Sequence, residues 1–130
     1  MRQSFIEPKE LWVTVDRVVF YPDFQAPPER PYCFVYFISI FNETGLAITI
    51  KGRKWVVTNN RGEITAVEGD GVVGQFPTIA SGEKFSYNSF HLLDTLSGTA
   101  EGSYLGVDTL GRKLVARIPP FQMVVPKKQA

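Results

Sequence analysis

The sequence predicts an all-β fold, either a sandwich or a barrel. Short segments rich in β-branched and aromatic residues alternate with turn signals along the whole chain. No stretch of ten or more residues shows the 3.6-residue period of a helix without a helix-breaking residue inside it. About eight or nine short strands are therefore expected, a pattern unlike the strand–helix alternation of α/β proteins.

Length and composition fit one domain with its own hydrophobic core. The chain has 130 residues, 44% of them hydrophobic, and a formal net charge of +1. A chain of this length buries roughly two thirds of the surface that it exposes when unfolded. The near-neutral charge argues against a nucleic-acid partner. The basic pairs Arg53-Lys54 and Lys127-Lys128 are too short to form a binding surface and are interpreted as solvated.

The first third of the chain predicts two long strands joined by a stiff loop. Residues 11–21 alternate as a strand, and the phase shifts near Asp16-Arg17, which predicts a β-bulge there. Residues 22–31 contain four prolines and predict a connection with polyproline character. Residues 32–41 are apolar on both faces and predict a central strand.

The rest of the chain predicts shorter strands separated by turns. Gly52 is expected to interrupt one strand, and Pro119-Pro120 is expected to interrupt another. A further break is expected at residues 96–99. The predicted strands cover residues 46–50, 53–58, 63–67, 84–89, 103–107, 113–118 and 121–125.

Residues 69–74, Gly-Asp-Gly-Val-Val-Gly, spell the G-x-G-x-x-G motif. A dinucleotide site also needs a following helix, whose N-terminus holds the pyrophosphate, but Pro77 follows with no helical pattern behind it. We interpret the three glycines as serving tight backbone geometry between strands. A second interpretation stays open, in which Gly69, Gly71 and Gly74 form a small anion- or nucleotide-binding loop through their amides.

No catalytic or metal-binding constellation is found in the sequence. His91 is the only histidine and Cys33 the only cysteine, which excludes a classical zinc site and an internal disulfide. Cys33 is expected to be a buried apolar residue. Glu68 and Asp70 supply too few oxygen ligands for a calcium site, and a weak magnesium-type surface site stays open as the less favoured interpretation. We therefore expect no catalytic residues, no metal and no cofactor.

The large aromatic side chains allow two interpretations. They stack on bases if they are exposed, and they fill the core if they are buried. A core role is favoured in a domain of this size. The residues are Trp12, Tyr36, Trp55, Tyr87 and Tyr104.

Four longer strings resemble the ApaG-domain (DUF525) family. They are GRKWVVTNNRGEI (52–64), VEGDGVVGQFPTI (67–79), SGEKFSYNS (81–89) and EGSYLGVDTLGRKLVARIPPF (101–121). Three departures are visible: Lys54 replaces the histidine of R-H-W, Phe76 replaces a glutamine, and residues 95–104 lack a proline and a methionine of the usual run. The resemblance therefore carries over no ligand role for those side chains.

The resemblance implies an immunoglobulin- or fibronectin-III-like antiparallel β-sandwich of about seven to nine strands. It implies one domain over residues 1–130, with an ordered core over about 9–126. It also implies a small bacterial protein without established catalytic residues, linked to cobalt and magnesium efflux or resistance. Gly69, Gly71 and Gly74 occupy the family's own glycine motif.

Two functions are expected from these observations. The first is a non-enzymatic interaction module that binds an unidentified protein partner or a small anionic ligand, accessory to metal-ion efflux. The alternative is a nucleotide- or Mg-nucleotide-binding protein that acts through residues 69–74, linked to dinucleoside polyphosphate metabolism. Because no signal peptide or membrane span is visible, we expect a cytoplasmic protein, either a monomer or a homodimer.

Overall fold

A computed structural model describes residues 4–127, and its eight named elements are all β-strands. One sheet has the strand order β1-β2-β6, and the other has the order β4-β3-β7-β8 with β5 also paired to β3. All these pairings are antiparallel, and the two sheets enclose one hydrophobic core, which confirms the predicted sandwich. The strands are β1 Leu11–Phe20, β2 Tyr32–Asn42, β3 Ile48–Asn59, β4 Ile64–Asp70, β5 Thr78–Ile79, β6 Glu83–Leu93, β7 Ser97–Asp108 and β8 Lys113–Val124. Within the described range, no helix is both long and apolar enough to cross a bilayer.

The first two strands confirm the predictions made for them. The pairing of β1 with β2 shifts between Val15 and Arg17, where the bulge was expected. Strand β2 lies between β1 and β6, so it is the central strand of its sheet. Cys33 on this strand is completely buried, as expected of an apolar thiol.

Strand β3 corrects the prediction of a break at Gly52. The strand is continuous, but its pairing with β7 shifts between Ile50 and Gly52. The extra residue, Lys51, forms a bulge and is exposed. A one-residue shift moves every following side chain to the opposite face of a strand. The bulge therefore directs Arg53 and Trp55 between the sheets, and Trp55 is only 3% exposed.

One further predicted interruption is displaced and another is wrong. The break between β6 and β7 falls at residues 94–96, not at 96–99. Residues 97–99 belong to β7, where a Cβ on Gly98 would lie 2.7 Å from the carbonyl oxygen of Thr58 on β3. Glycine at this position permits the close approach of two strands. Pro119-Pro120 lies inside β8, at the point where the pairing with β7 shifts. Since β8 is an edge strand, the missing proline N–H groups remove no inner hydrogen bond from the sheet.

The two sides of the sandwich differ. On one side β1 packs against β8, and a segment around Ile6 extends the sheet: its N–H donates to the Lys113 carbonyl at 2.9 Å. On the other side, β4 and β6 are edge strands of different sheets. Val67 on β4 pairs with inward-facing Trp55 yet remains 47% exposed. The sandwich is therefore closed between β1 and β8 and open between β4 and β6.

Candidate functional site

The G-x-G-x-x-G motif begins in a strand and ends in a tight turn. Gly69 belongs to β4, which therefore extends beyond its predicted end. Further on, Val72 and Gln75 exchange two backbone hydrogen bonds of 2.7 and 2.9 Å. The two residues between them have positive φ, 44° at Val73 and 77° at Gly74. This is the geometry of a two-residue hairpin turn of type I′.

Few amides of this motif are available to a ligand. The Gly71 N–H donates to the Lys51 carbonyl at 2.8 Å, and the Val72 N–H is used within the turn. In the described part of the chain, nothing accepts from the amides of Val73 and Gly74. Strand β5, rather than a helix, follows the motif. A phosphate bound here would therefore meet two turn amides without a helix dipole.

The first glycine makes room for an arginine side chain. A Cβ on Gly69 would lie 2.8 Å from the guanidinium carbon and from both terminal nitrogens of Arg53, so the guanidinium lies flat against Gly69. Its Nη1 donates to the carbonyl oxygens of Asp70 at 2.8 Å and Gly71 at 3.2 Å. The interpretation of Arg53 as solvated is wrong, because this side chain faces inward and is half-buried, whereas Lys54 is exposed as expected.

A cleft of about 520 Å³ opens between β4 and β6. Inward-facing residues of β3 and β4 form one wall, β6 forms the other, and Arg30 from the loop before β2 borders it. Small-molecule sites in proteins commonly have volumes of roughly 300 to 1,000 Å³. The cleft therefore has the size of a site for a small organic ligand.

Aromatic rings form the floor of this cleft. The Trp55 ring centroid lies 4.9 Å from that of Tyr36 and 4.5 Å from that of His91. Phe121 from β8 packs behind them, with its centroid 5.9 Å from Trp55. Rings at these distances and tilted angles hold one another in place, so the floor is a pre-formed apolar surface.

Two nitrogens of the floor are buried without a hydrogen-bond partner among the described residues, Trp55 Nε1 and His91 Nε2. Burial raises the pKa of Tyr36, and Trp55 lies close enough to its hydroxyl to offset a small part of this rise, but Trp55 makes no well-aligned hydrogen bond to it. Burial lowers the pKa of His91 to about 4, so its ring is neutral at pH 7. A buried polar group without a hydrogen-bond partner costs roughly 1 to 3 kcal/mol of folding stability. Such a group in a native structure therefore calls for a physical explanation.

Three tyrosine hydroxyls lie next to this floor. The hydroxyls of Tyr87 and Tyr104 are hydrogen-bonded to each other. Burial raises the pKa of both groups and also that of Tyr36, while the charge of Arg53 acts in the opposite direction. All three hydroxyls therefore keep their protons at neutral pH, and one proton of the Tyr87–Tyr104 pair is used in the bond between them.

The opposite end of the cleft is a network of paired charges. Arg61 Nη2 lies 2.8 Å from Glu63 Oε1 and 2.6 Å from Asp94 Oδ2. Asn59 Nδ2 donates to the same two carboxylates at 2.7 and 3.1 Å. The bonds from Asn59 and then Arg61 hold the pKa of both carboxyl groups below the usual values. Both carboxylates are consequently ionised and already paired at neutral pH.

The structure brings together residues that the sequence did not mark as a site. Arg53 lines the cleft, and Gly69 lies against its guanidinium without lining the cleft itself. Gly71 and Gly74 lie in the turn beyond the cleft. Arg53, Trp55 and His91 were not predicted as site residues. The two-residue spacing of Arg53 and Trp55 does place both side chains on one face of a strand. Only the bulge at Lys51, which depends on pairing with β7, determines that this face is the inner one.

The other sequence candidates are not assembled into a site. Glu68 and Asp70 are exposed on β4. Across residues 4–127, no three His, Cys, Asp or Glu side chains are close enough to hold a metal ion together. Tyr36, Trp55 and Tyr104 are buried, in agreement with the core role predicted for the large aromatic residues. Trp12 is instead 39% exposed, and its ring stacks on that of Phe41 with the centroids 5.0 Å apart.

The fold and the cleft define a class: an immunoglobulin-like antiparallel β-sandwich whose two sheets separate along one side. The family model for the ApaG domain, DUF525, matches residues 22–108. The chain belongs to this family, as the resemblance of its sequence motifs indicated.

Individual proteins of the family are similar over most of their length. Protein ApaG of Vibrio vulnificus is 39% identical over 107 residues, which span 82% of this chain and 85% of the relative. The putative ApaA protein of Bordetella pertussis has a crystal structure with a TM-score of 0.81 and 32% identity, covering 94% of this chain and 98% of its own. The X-ray structure of the structural-genomics target SoR45 gives a TM-score of 0.83 at 34% identity, covering 91% and 89%.

Two departures from the family pattern lie outside the cleft. Lys54 stands where a histidine is usual, but it is exposed and points away from the inner face that carries Arg53 and Trp55. Phe76 is 55% exposed, and the ammonium of Lys51 lies 5.8 Å from its ring centroid. Neither substitution changes the lining of the cleft.

Proposed function

We propose that this ApaG-domain protein is a non-enzymatic binding module and that its ligand occupies the cleft between β4 and β6. The observation that carries the proposal is the Trp55 indole. Its ring is 3% exposed, its Nε1 has no partner among the described residues, and it forms the floor of an open concavity. A pre-formed apolar surface with a few convergent polar groups is the usual composition of a small-ligand site.

The surroundings of His91 support a binding role over a catalytic one. This is the only histidine of the chain, and its pKa of about 4 keeps it neutral at neutral pH. A general base needs a pKa near the working pH and a hydrogen-bonded proton donor. Within the part of the chain that the structure describes, His91 Nε2 has no such donor.

The second candidate is nucleotide binding through residues 69–74. It is supported by the two turn amides at Val73 and Gly74 that have no acceptor among the described residues. Positive φ at both positions turns successive N–H groups toward one side, as in anion-binding nests. A protein partner and a role accessory to cobalt or magnesium efflux remain predictions from the family resemblance.

An NMR titration of ¹⁵N-labelled protein separates these candidates. The probes are naphthalene-2-carboxylate, ATP and a dinucleoside tetraphosphate, each with and without Mg²⁺ or Co²⁺. We expect the carboxylate to shift the indole N–H of Trp55 and the amide of Val67. The indole of Trp12, on the outer face, is the internal control and should not move.

Silence of the Trp55 and Val67 signals with every probe at millimolar concentration would contradict the proposal. Selective shifts of the Val73 and Gly74 amides with the nucleotides would instead favour the second candidate. Shifts that require the divalent ion would point to a metal–nucleotide complex as the ligand.

A further inference from the structure

We propose that Arg53 is the anion-recognition residue of the cleft and that the ligand is a small organic anion with a flat apolar body. This inference rests on the binding function proposed above and specifies its ligand class. An inward-facing arginine is unusual in a β-sandwich, because burying a charge is costly unless the charge is compensated. The bulge at Lys51 puts Arg53 in this position.

Arg53 carries a charge that no carboxylate neutralises. Within residues 4–127, Arg61, Arg112 and Arg117 each form an ion pair, whereas Arg53 forms none, and neither do Arg17 and the cleft-bordering Arg30. Its only hydrogen bonds in this range run from Nη1 to the carbonyl oxygens of Asp70 and Gly71. Its Nε and Nη2 thus keep their donor capacity. Carbonyl dipoles hold the group without cancelling its positive charge.

The guanidinium is fixed in orientation before any ligand arrives. One face lies flat against Gly69, where a Cβ would come within 2.8 Å of three guanidinium atoms. The strand pairing of Arg53 with Gly69 on one side and Tyr104 on the other locates it between β4 and β7. A planar fork held in this way recognises a carboxylate or a phosphate better than a mobile side chain does.

The side chains that line the cleft beside Arg53 bring hydroxyl groups but no carboxylate to this end. Ser89 and Tyr36 line the same cleft, and the hydroxyls of Tyr87 and Tyr104 lie near enough to feel the charge of Arg53. The two carboxylates that line the cleft, Glu63 and Asp94, lie at its far end and are bonded to Arg61. The unpaired cation and the donor groups together favour an anionic group at this end.

The remainder of the cleft defines the rest of the ligand. Trp55, Val57 and Val67 form an apolar surface beyond Arg53. A volume of about 520 Å³ accommodates a bicyclic ring with one anionic substituent. Carboxylates and phosphate esters share this chemistry, so both are tested.

The test measures dissociation constants by tryptophan fluorescence in a W12F background, where Trp55 is the only tryptophan. The probes are naphthalene-2-carboxylate, its neutral amide and 1-naphthyl phosphate. We expect the carboxylate or the phosphate to bind roughly 10- to 100-fold more tightly than the amide, as a charged hydrogen bond predicts. The better of the two anions identifies the class of head group.

The variants assign that preference to Arg53. Arg53→Met should weaken binding of both anions far more than binding of the amide, so that the preference for anions disappears. Arg53→Lys, which keeps the charge without the fork, should retain only part of the preference. Lys54→Met is the matched control, because this neighbour points away from the cleft, and it should behave as the parent protein does.

The outcomes separate this inference from the function on which it rests. If the amide and both anions bind with equal affinity, the role of Arg53 is wrong and the cleft remains a binding site. If Arg53→Lys and Lys54→Met reduce the preference equally, the effect is one of net charge and the inference is again wrong. If no probe changes the Trp55 fluorescence, the proposed function itself fails. Arg53→Lys preserves the test if Arg53→Met does not fold.

Discussion

The two edge strands of the larger sheet, β8 and β4, are covered to different extents by the smaller sheet. On the closed side, Leu114 and Ile118 of β8 are 3% and 2% exposed, because β1 packs against them. On the open side, Val67 of β4 faces inward opposite Trp55 and is still 47% exposed. Both strands are edges of the same sheet. The difference is that β6, the nearest strand of the smaller sheet, does not cover β4.

This difference divides the molecule into a stabilising side and a binding side. Burial of apolar side chains contributes most of the free energy of folding, and on the closed side the edge strand itself takes part through Leu114 and Ile118. The open side keeps apolar and charged groups accessible at a cost in stability. Binding sites commonly combine such accessible groups with a rigid scaffold. The following predictions compare the two sides, in order of decreasing effect.

The largest effect is expected from truncating the closed edge strand. Ile118→Ala should lower the free energy of unfolding by about 2 to 5 kcal/mol, because it leaves a cavity in the core. Val67→Ala, at an inward-facing position of the open edge strand, is the comparison and should cost less than about 1 kcal/mol. Urea denaturation measures both values. Equal losses would contradict the division into two sides.

The next effect concerns the backbone of the open side. Gly71 has a φ of 61°, and a Cβ there would lie 2.1 Å from the Gln75 carbonyl oxygen. Gly71→Ala should therefore cost about 2 to 4 kcal/mol, since strain and a backbone clash add. Gly74→Ala, which has a similar φ but open space around it, is the control and should cost clearly less. If both variants unfold at the same urea concentration, the close approach at Gly71 is not a constraint.

His91 should make stability depend on pH between about 6.5 and 4. The unfolded chain takes up a proton on this residue below its ordinary pKa of 6.5, whereas the folded protein does so only near pH 4. The free energy of unfolding should therefore be about 2 kcal/mol lower at pH 5 than at pH 7, and this term should be constant above pH 7. His91→Gln removes the term without removing the volume. An unchanged pH profile in His91→Gln would show that the histidine is solvated.

The smallest effect is expected from the exposed charges at the far end of the cleft. Arg61→Ala breaks two ion pairs between exposed side chains, and such pairs are weakened further by solvent and salt. We expect no measurable change in Tm at physiological salt. Arg112→Ala, which removes the partner of Asp108 with its 2% exposed side chain, should lower Tm more. The opposite order in a thermal melt would contradict this ranking.

The local features of the fold could be predicted from the sequence. The bulge near Asp16 follows from a phase shift in alternation, and the central position of β2 follows from apolar residues on both faces. These signals lie within one segment. The positions of Gly98 and of Pro119-Pro120 inside strands could not be predicted, because they depend on which neighbouring strand approaches and on which strands are edges.

The cleft could not be predicted for the same reason. Arg53 and Trp55 adjoin a glycine that resembles a strand break, and only pairing with β7 turns this break into a bulge. The sequence allows two roles for the glycine motif, tight backbone geometry between strands or a ligand-binding loop. In the structure, Gly69 makes room for the guanidinium and Gly71 permits a close backbone approach. The glycines of the motif therefore shape the site through close contacts with Arg53 and Gln75, and the spacing of the glycines in the sequence does not reveal these contacts.

The most direct test of the account is to locate a bound ligand on the protein. Intermolecular NOEs from naphthalene-2-carboxylate to isotope-labelled protein identify the side chains within about 5 Å of the ring. We expect NOEs to the Trp55 indole and to the methyl groups of Val57 and Val67. NOEs confined to Trp12 and Phe41 on the outer face, or to the turn at Val73, would contradict it.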